Sequence, residues 1–164
     1  MNPSTISQIQ KELITLEHKQ VVDICLRLAK YKKENKELLQ YLLFEANDES
    51  TFISGVRTEI DNLFLQINTS SMYFIRKSVR KILRHINKAV KFSGIATTEL
   101  DLRIHFCIQL KLSSIPLQKS DALLNLYQGQ IEKIKKILTK LHEDLQYDYV
   151  QELERLEIFN GNSN

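Results

Sequence analysis

Apolar side chains recur three or four positions apart along almost the whole chain, while the strict alternation that marks a half-buried strand is scarce. That period returns a side chain to the same face of a helix at every turn, so the sequence predicts helices throughout. Turn formers are correspondingly rare. There are four glycines and two prolines in 164 residues, where average usage would be about 7% and 5%. Gly55, Gly94, Gly129 and Gly161 lie too far apart for a dinucleotide-binding fingerprint or a phosphate-binding loop. With 43% apolar and 26% charged residues the chain can bury a core. The expected fold is all-α, a multi-helix bundle or a short α-α superhelical stack of about six to eight helices, in one domain over residues 1–164.

The pattern divides into segments. Ile6, Ile9, Leu13 and Leu16 predict a short helix after a Ser4 cap. Val21, Val22, Ile24, Cys25, Leu26 and Leu28 predict a second, mostly buried helix to about Tyr31. A lysine-rich turn then leads into an antiparallel third helix through Leu38, Leu39, Leu42, Leu43 and Ala46. A fourth spans Phe52 to Ile67, where Gly55 suggests close helix packing. Asn68-Thr69-Ser70-Ser71 precedes a fifth helix, 71–92, stopped by Ser93-Gly94. Thr97-Thr98 are expected to cap a sixth, ending before Pro116.

Residues 1–115 thus read as short helix pairs, and 117–159 as a C-terminal helical segment packing on them. No proline or glycine interrupts Gln130 to Asn160, which predicts a long last helix. Tyr127, Ile131, Ile134, Leu138, Leu141 and Leu145 form an a/d stripe there, suited to the chain's own core or to a homo-oligomer.

The block Leu26-Arg27-Leu28-Ala29-Lys30, followed by Glu34 to Glu45 (ENKELLQYLLFE), resembles uncharacterised small all-helical bacterial proteins, a domain of unknown function. The likeness is strongest from Lys11 to Glu45. It implies a helical fold and carries no catalytic residue.

Charge is distributed unevenly. From Asn62 to Thr98 there is no Asp or Glu, but there are Arg76, Lys77, Arg80, Lys81, Arg84, Lys88 and Lys91. Against a whole-chain charge of +3, these cations leave the remainder net acidic. At about 100° per residue all seven fall within roughly 140° of one helix face, with His85 at its border. Ile75, Val79, Ile82 and Ile86 take the opposite side. Like charges so placed repel one another and call for counter-charge. Three readings follow: a solvated face or one paired with Glu143, Asp144, Asp148, Glu152 and Glu154 of the last helix; nucleic-acid phosphates; or an acidic protein or anionic membrane surface.

The sequence contains no recognisable catalytic signature. His105 and Cys107 stand two apart, about 200° round a helix, too divergent to share a metal. His142-Glu143-Asp144-Leu145-Gln146 places Gln146 where a zinc-protease helix needs its second histidine. No serine sits in a nucleophile elbow. A triad assembled by folding would require His85, His105 or His142 to meet a carboxylate. The expectation is a non-enzymatic binding or scaffold protein with no cofactor and no metal. Two distant cysteines, a polar N-terminus and the lack of a membrane-length apolar run suit a reduced, cytoplasmic protein. With aromatics spread through the core pattern, no platform for stacking bases is expected, so binding would be to phosphates and not to sequence.

Overall fold

The computed structural model describes residues 4–157. Among these residues there are eight α-helices and no strand: α1 (Ile6–Thr15), α2 (His18–Tyr31), α3 (Lys33–Gln40), α4 (Glu49–Leu65), α5 (Met72–Ser93), α6 (Ala96–Leu112), α7 (Asp121–Leu138) and α8 (Glu143–Glu157). A wider π-helical turn, Tyr41–Glu45, follows α3, and a short 3-10 turn, Leu117–Lys119, precedes α7. The described residues group into two compact units divided between Glu45 and Ala46.

In the first unit, Thr5 and not Ser4 caps α1. Its hydroxyl accepts from the Gln8 amide while the Gln8 side chain accepts from the Thr5 amide. α2 and α3 form a hairpin across Lys32, held where Asn35 Nδ2 donates to the Leu28 carbonyl at 2.9 Å. The expectation of a mostly buried second helix fails. Val22, Ile24, Leu26 and Leu28 are exposed, and only Val21, Cys25 and Ala29, four residues apart, are half-buried. Apolar residues occupy more of the circumference of α2 than one neighbouring helix can cover.

The second unit is built round α6. Leu100, Leu102, Ile104, Phe106, Cys107 and Leu110 are buried around most of the circumference of this helix, which packs against α4, α5, α7 and α8. Three polar ties run in register between α4 and α6. Thr98 Oγ1 donates to Glu49 Oε1 at 2.5 Å, Arg57 Nη2 donates to Asp101 Oδ1 at 2.8 Å, and His105 Nε2 meets Asp61 Oδ1 at 2.7 Å. Their shared N-to-C order makes the two helices parallel, with α5 crossing back between their ends. Ser93, the last residue of α5, donates to the same Glu49 oxygen. Thr98, expected from the sequence as a cap, is therefore buried inside α6; the cap position is Ile95.

Arg103 of α6, 4% exposed, is the most deeply buried cation described. Its guanidinium donates to Glu99 Oε1 at 2.7 Å, to Gln130 Oε1 of α7 at 2.7 Å and to Asn87 Oδ1 of α5 at 3.1 Å. This group joins three helices and leaves the buried charge neutralised, as a low-dielectric interior requires.

Two further expectations are corrected. Gly55 is exposed, and nothing lies within 4 Å of where a Cβ would stand, so it marks no close helix approach. The long last helix is broken at residues 139–142 without a proline or glycine. The Thr139 hydroxyl bonds the Lys136 carbonyl, the Lys140 and Leu141 amides turn back to Ile137 and Leu138, and His142 Nδ1 accepts from the Asp144 amide. The break divides the a/d stripe. Tyr127, Ile131, Ile134 and Leu138 are buried in the chain's own core, whereas Leu145 is 40% exposed and α8 turns Leu153 and Leu156 inward instead. α8 packs on α6 and α7, where the Tyr127 hydroxyl donates to the Leu156 carbonyl at 3.0 Å.

Substituting Arg103→Ala strands Glu99 and Gln130 and is expected to lower the unfolding free energy by about 3–5 kcal/mol. Ile134→Ala should cost about 2–5 kcal/mol through lost burial and the cavity it leaves. Urea denaturation followed by circular dichroism measures both, and losses below about 1 kcal/mol would refute these assignments.

Candidate functional site

α5 owes its length and position to well-matched ends. The Ser71 hydroxyl accepts from the Phe74 amide, and Gly94 takes φ +66° at the C-terminus, donating to the Val90 carbonyl at 2.9 Å. A side chain at Gly94 would be strained in this left-handed conformation. Between the caps, Ile75, Val79, Ile82, Ile86 and Ala89 form the buried seam at spacings of four and three. That commitment fixes the helix's rotation and sends the cationic residues away from the core.

Lys77, Arg80, Lys81, Arg84 and Lys91 are exposed, and Arg76 and Lys88 are half-buried. Arg76, Lys77, Arg80 and Arg84, together with Tyr73, line a cleft of about 470 Å³. Lys81, Lys88 and Lys91 continue the face outside that lining. Lys88 Nζ lies 5.8 Å from the centre of the Phe92 ring.

Pairing with α8, one of the arrangements the sequence allowed, is not what the described residues form. α8 packs on α6 and α7, and among the described residues no ion pair joins Arg76, Lys77, Arg80, Lys81 or Arg84 to a carboxylate. Several acidic side chains of the second unit are engaged elsewhere. Asp101 holds Arg57, Glu99 holds Arg103, Asp61 faces His105, and Glu59 lies 2.8 Å from His85 at the border of the arc. Arg76, Lys77, Arg80, Lys81 and Arg84 therefore share one face without an ion pair to a described carboxylate, the condition under which an anion is attracted.

Folding does bring each of three histidines to a carboxylate: His85 to Glu59, His105 to Asp61 at 2.7 Å, and His142 to Asp144 at 3.3 Å. A carboxylate orients an imidazole, but nucleophilic catalysis also needs an activated nucleophile beside it. Cys107, two residues from His105, is fully buried, and burial pushes its thiol up to about 12 against a weaker opposing pull from Arg103. A thiol so protonated is a packing group. Tyr127 is likewise pushed well above the ordinary phenol value, first by burial and then by Cys107. Among the described residues no group of three or more His, Cys, Asp or Glu side chains could hold a metal ion. No described helix is long and apolar enough to cross a membrane.

One contributor was missed by the sequence reading. Tyr73 was counted among aromatics belonging to the core, yet it is 61% exposed and lines the cationic cleft. The signal was available: Tyr73 stands three and four residues before Arg76 and Lys77, on the same helical face. No family model, curated protein or solved structure matches the chain.

Thiol chemistry checks the geometry. Cys25 is half-buried and Cys107 buried, so the native protein should take up one equivalent of alkylating reagent and a second only after denaturation. The folded Cys107 value lies above its ordinary 9.0, so its contribution to stability is complete below pH 9 and is lost as pH rises towards 12. Cys107→Ala should remove that part of the alkaline decline; an unchanged decline in urea titrations above pH 9 would contradict it.

Proposed function

We propose that the chain is a non-enzymatic binding protein whose working surface is the cationic face of α5, and that its ligand is a phosphate-bearing polyanion. The carrying observation is the cleft lined by Arg76, Lys77, Arg80 and Arg84, which form no ion pair among the described residues. Arg offers planar, two-pronged donors and Lys a mobile point charge, the combination that suits phosphate oxygens. The opposite side of α5 is committed to the core, so the helix can present cations without unfolding, and it has no apolar face left to insert into a bilayer. Two unbridged cysteines, one of them a buried free thiol, fit a reducing, cytoplasmic setting.

Oligomerisation through the C-terminal stripe is less favoured. Tyr127, Ile131, Ile134 and Leu138 are already buried within the chain.

Four phosphate contacts would give log K against log salt a slope near −3.6 on duplex DNA, by about 0.9 per phosphate. The triple substitution Lys77→Glu, Arg80→Glu and Arg84→Glu should abolish most of the slope while leaving the melting temperature unchanged or slightly raised, because like-charge repulsion is relieved. Fluorescence anisotropy of a labelled duplex, titrated at several salt concentrations, measures this. An absence of retention on duplex, single strand and heparin alike at low salt would refute the reading. Retention of an acidic protein alone would transfer the surface to a different partner class.

A further inference from the structure

The cleft on α5 contains a side chain that a purely phosphate-binding surface does not require. Tyr73 sits at the N-terminal end of the cation track, in helical register with Lys77, Arg80 and Arg84, and presents 61% of its surface to solvent. Phe74 meets its ring edge-on, with centroids 5.3 Å apart at an interplanar angle of 75°, and is itself 40% exposed. A large aromatic ring left in water among cations gains little from inorganic phosphate or from an acidic protein loop. A duplex offers it only sugar and phosphate, since its bases are stacked on one another. A single strand offers both things the cleft displays: phosphates for the arginines and a free base face for the ring.

We propose that the cleft binds single-stranded nucleic acid, with the backbone following Arg76, Lys77, Arg80 and Arg84 and one base stacked on Tyr73. At about 1.5 Å of rise per residue, Tyr73 and Arg84 lie roughly 16 Å apart along the helix axis, a length suited to a few nucleotides and not to a long track. Recognition of this kind is tolerant of sequence, because every base has a π-face. The assignment rests on the polyanion reading above and departs from the expectation that the chain has no stacking platform.

The test is anisotropy titration of the full chain with 12-nucleotide single-stranded DNA, the same length of single-stranded RNA, a 12-base-pair duplex and heparin, each over a range of salt. The expected result is about tenfold tighter binding of at least one single strand than of the duplex, with a salt slope near −2.8 for four phosphates. Y73A should weaken single-strand binding by about tenfold without altering that slope, since no charge is removed, and should leave duplex and heparin binding unchanged. Y73F should bind as the wild type does. Equal affinity for single strand and duplex, with Y73A silent, would overturn the stacking assignment and leave the polyanion surface standing. Failure to bind any of the four ligands at low salt would overturn both.

Discussion

Everything in the second unit depends on accommodating α6, a helix buried on nearly all sides that nevertheless carries an arginine into the interior. A guanidinium cannot be left there unpaired without a cost of several kcal/mol. Glu99, Gln130 and Asn87 meet that requirement from α6, α7 and α5 respectively. The same constraint fixes the order of the neighbours, because each must bring its polar side chain to one point while packing its apolar seam round it. Along the other flank the parallel ties from α4 through Glu49, Arg57 and Asp61 set the register.

That arrangement decides what remains for α5. With its apolar seam turned towards the core and Asn87 drawn to Arg103, the helix has no rotational freedom, and the cationic arc faces outward as a consequence. Asp101, Glu99 and Asp61 are held by Arg57, Arg103 and His105. The acidic α8 is occupied on α6 and α7. The outward cationic face is thus a by-product of how the core satisfies its own polar groups, with Arg76, Lys77, Arg80, Lys81 and Arg84 in no ion pair among the described residues.

The parts legible in the sequence are those where one residue type has one physical outcome. The bounds of α5 follow from Ser71 and Gly94, and its two faces from a clean period. The α6 polar set was not legible, because a helix buried all round shows little amphipathicity and Arg103 looks like any surface arginine until its partners are known. The break after Leu138 was missed because it uses hydroxyl and imidazole bonds to the backbone where a proline or glycine would have announced it. Val22, Ile24, Leu26 and Leu28 of α2 misled in the opposite direction, since apolarity alone does not say that a neighbour exists to cover it. Tyr73 was overlooked because aromatics are commonly core residues, although its spacing from Arg76 placed it on the exposed face.

The most direct measurement is an amide and arginine side-chain NMR titration of the isotopically labelled protein with a short single-stranded oligonucleotide at low salt. Shifts concentrated at Tyr73, Arg76, Lys77, Arg80 and Arg84, with those of Arg103 and the buried seam of α5 unmoved, are the predicted outcome. Shifts confined to other helices, or none at saturating oligonucleotide, would contradict the account.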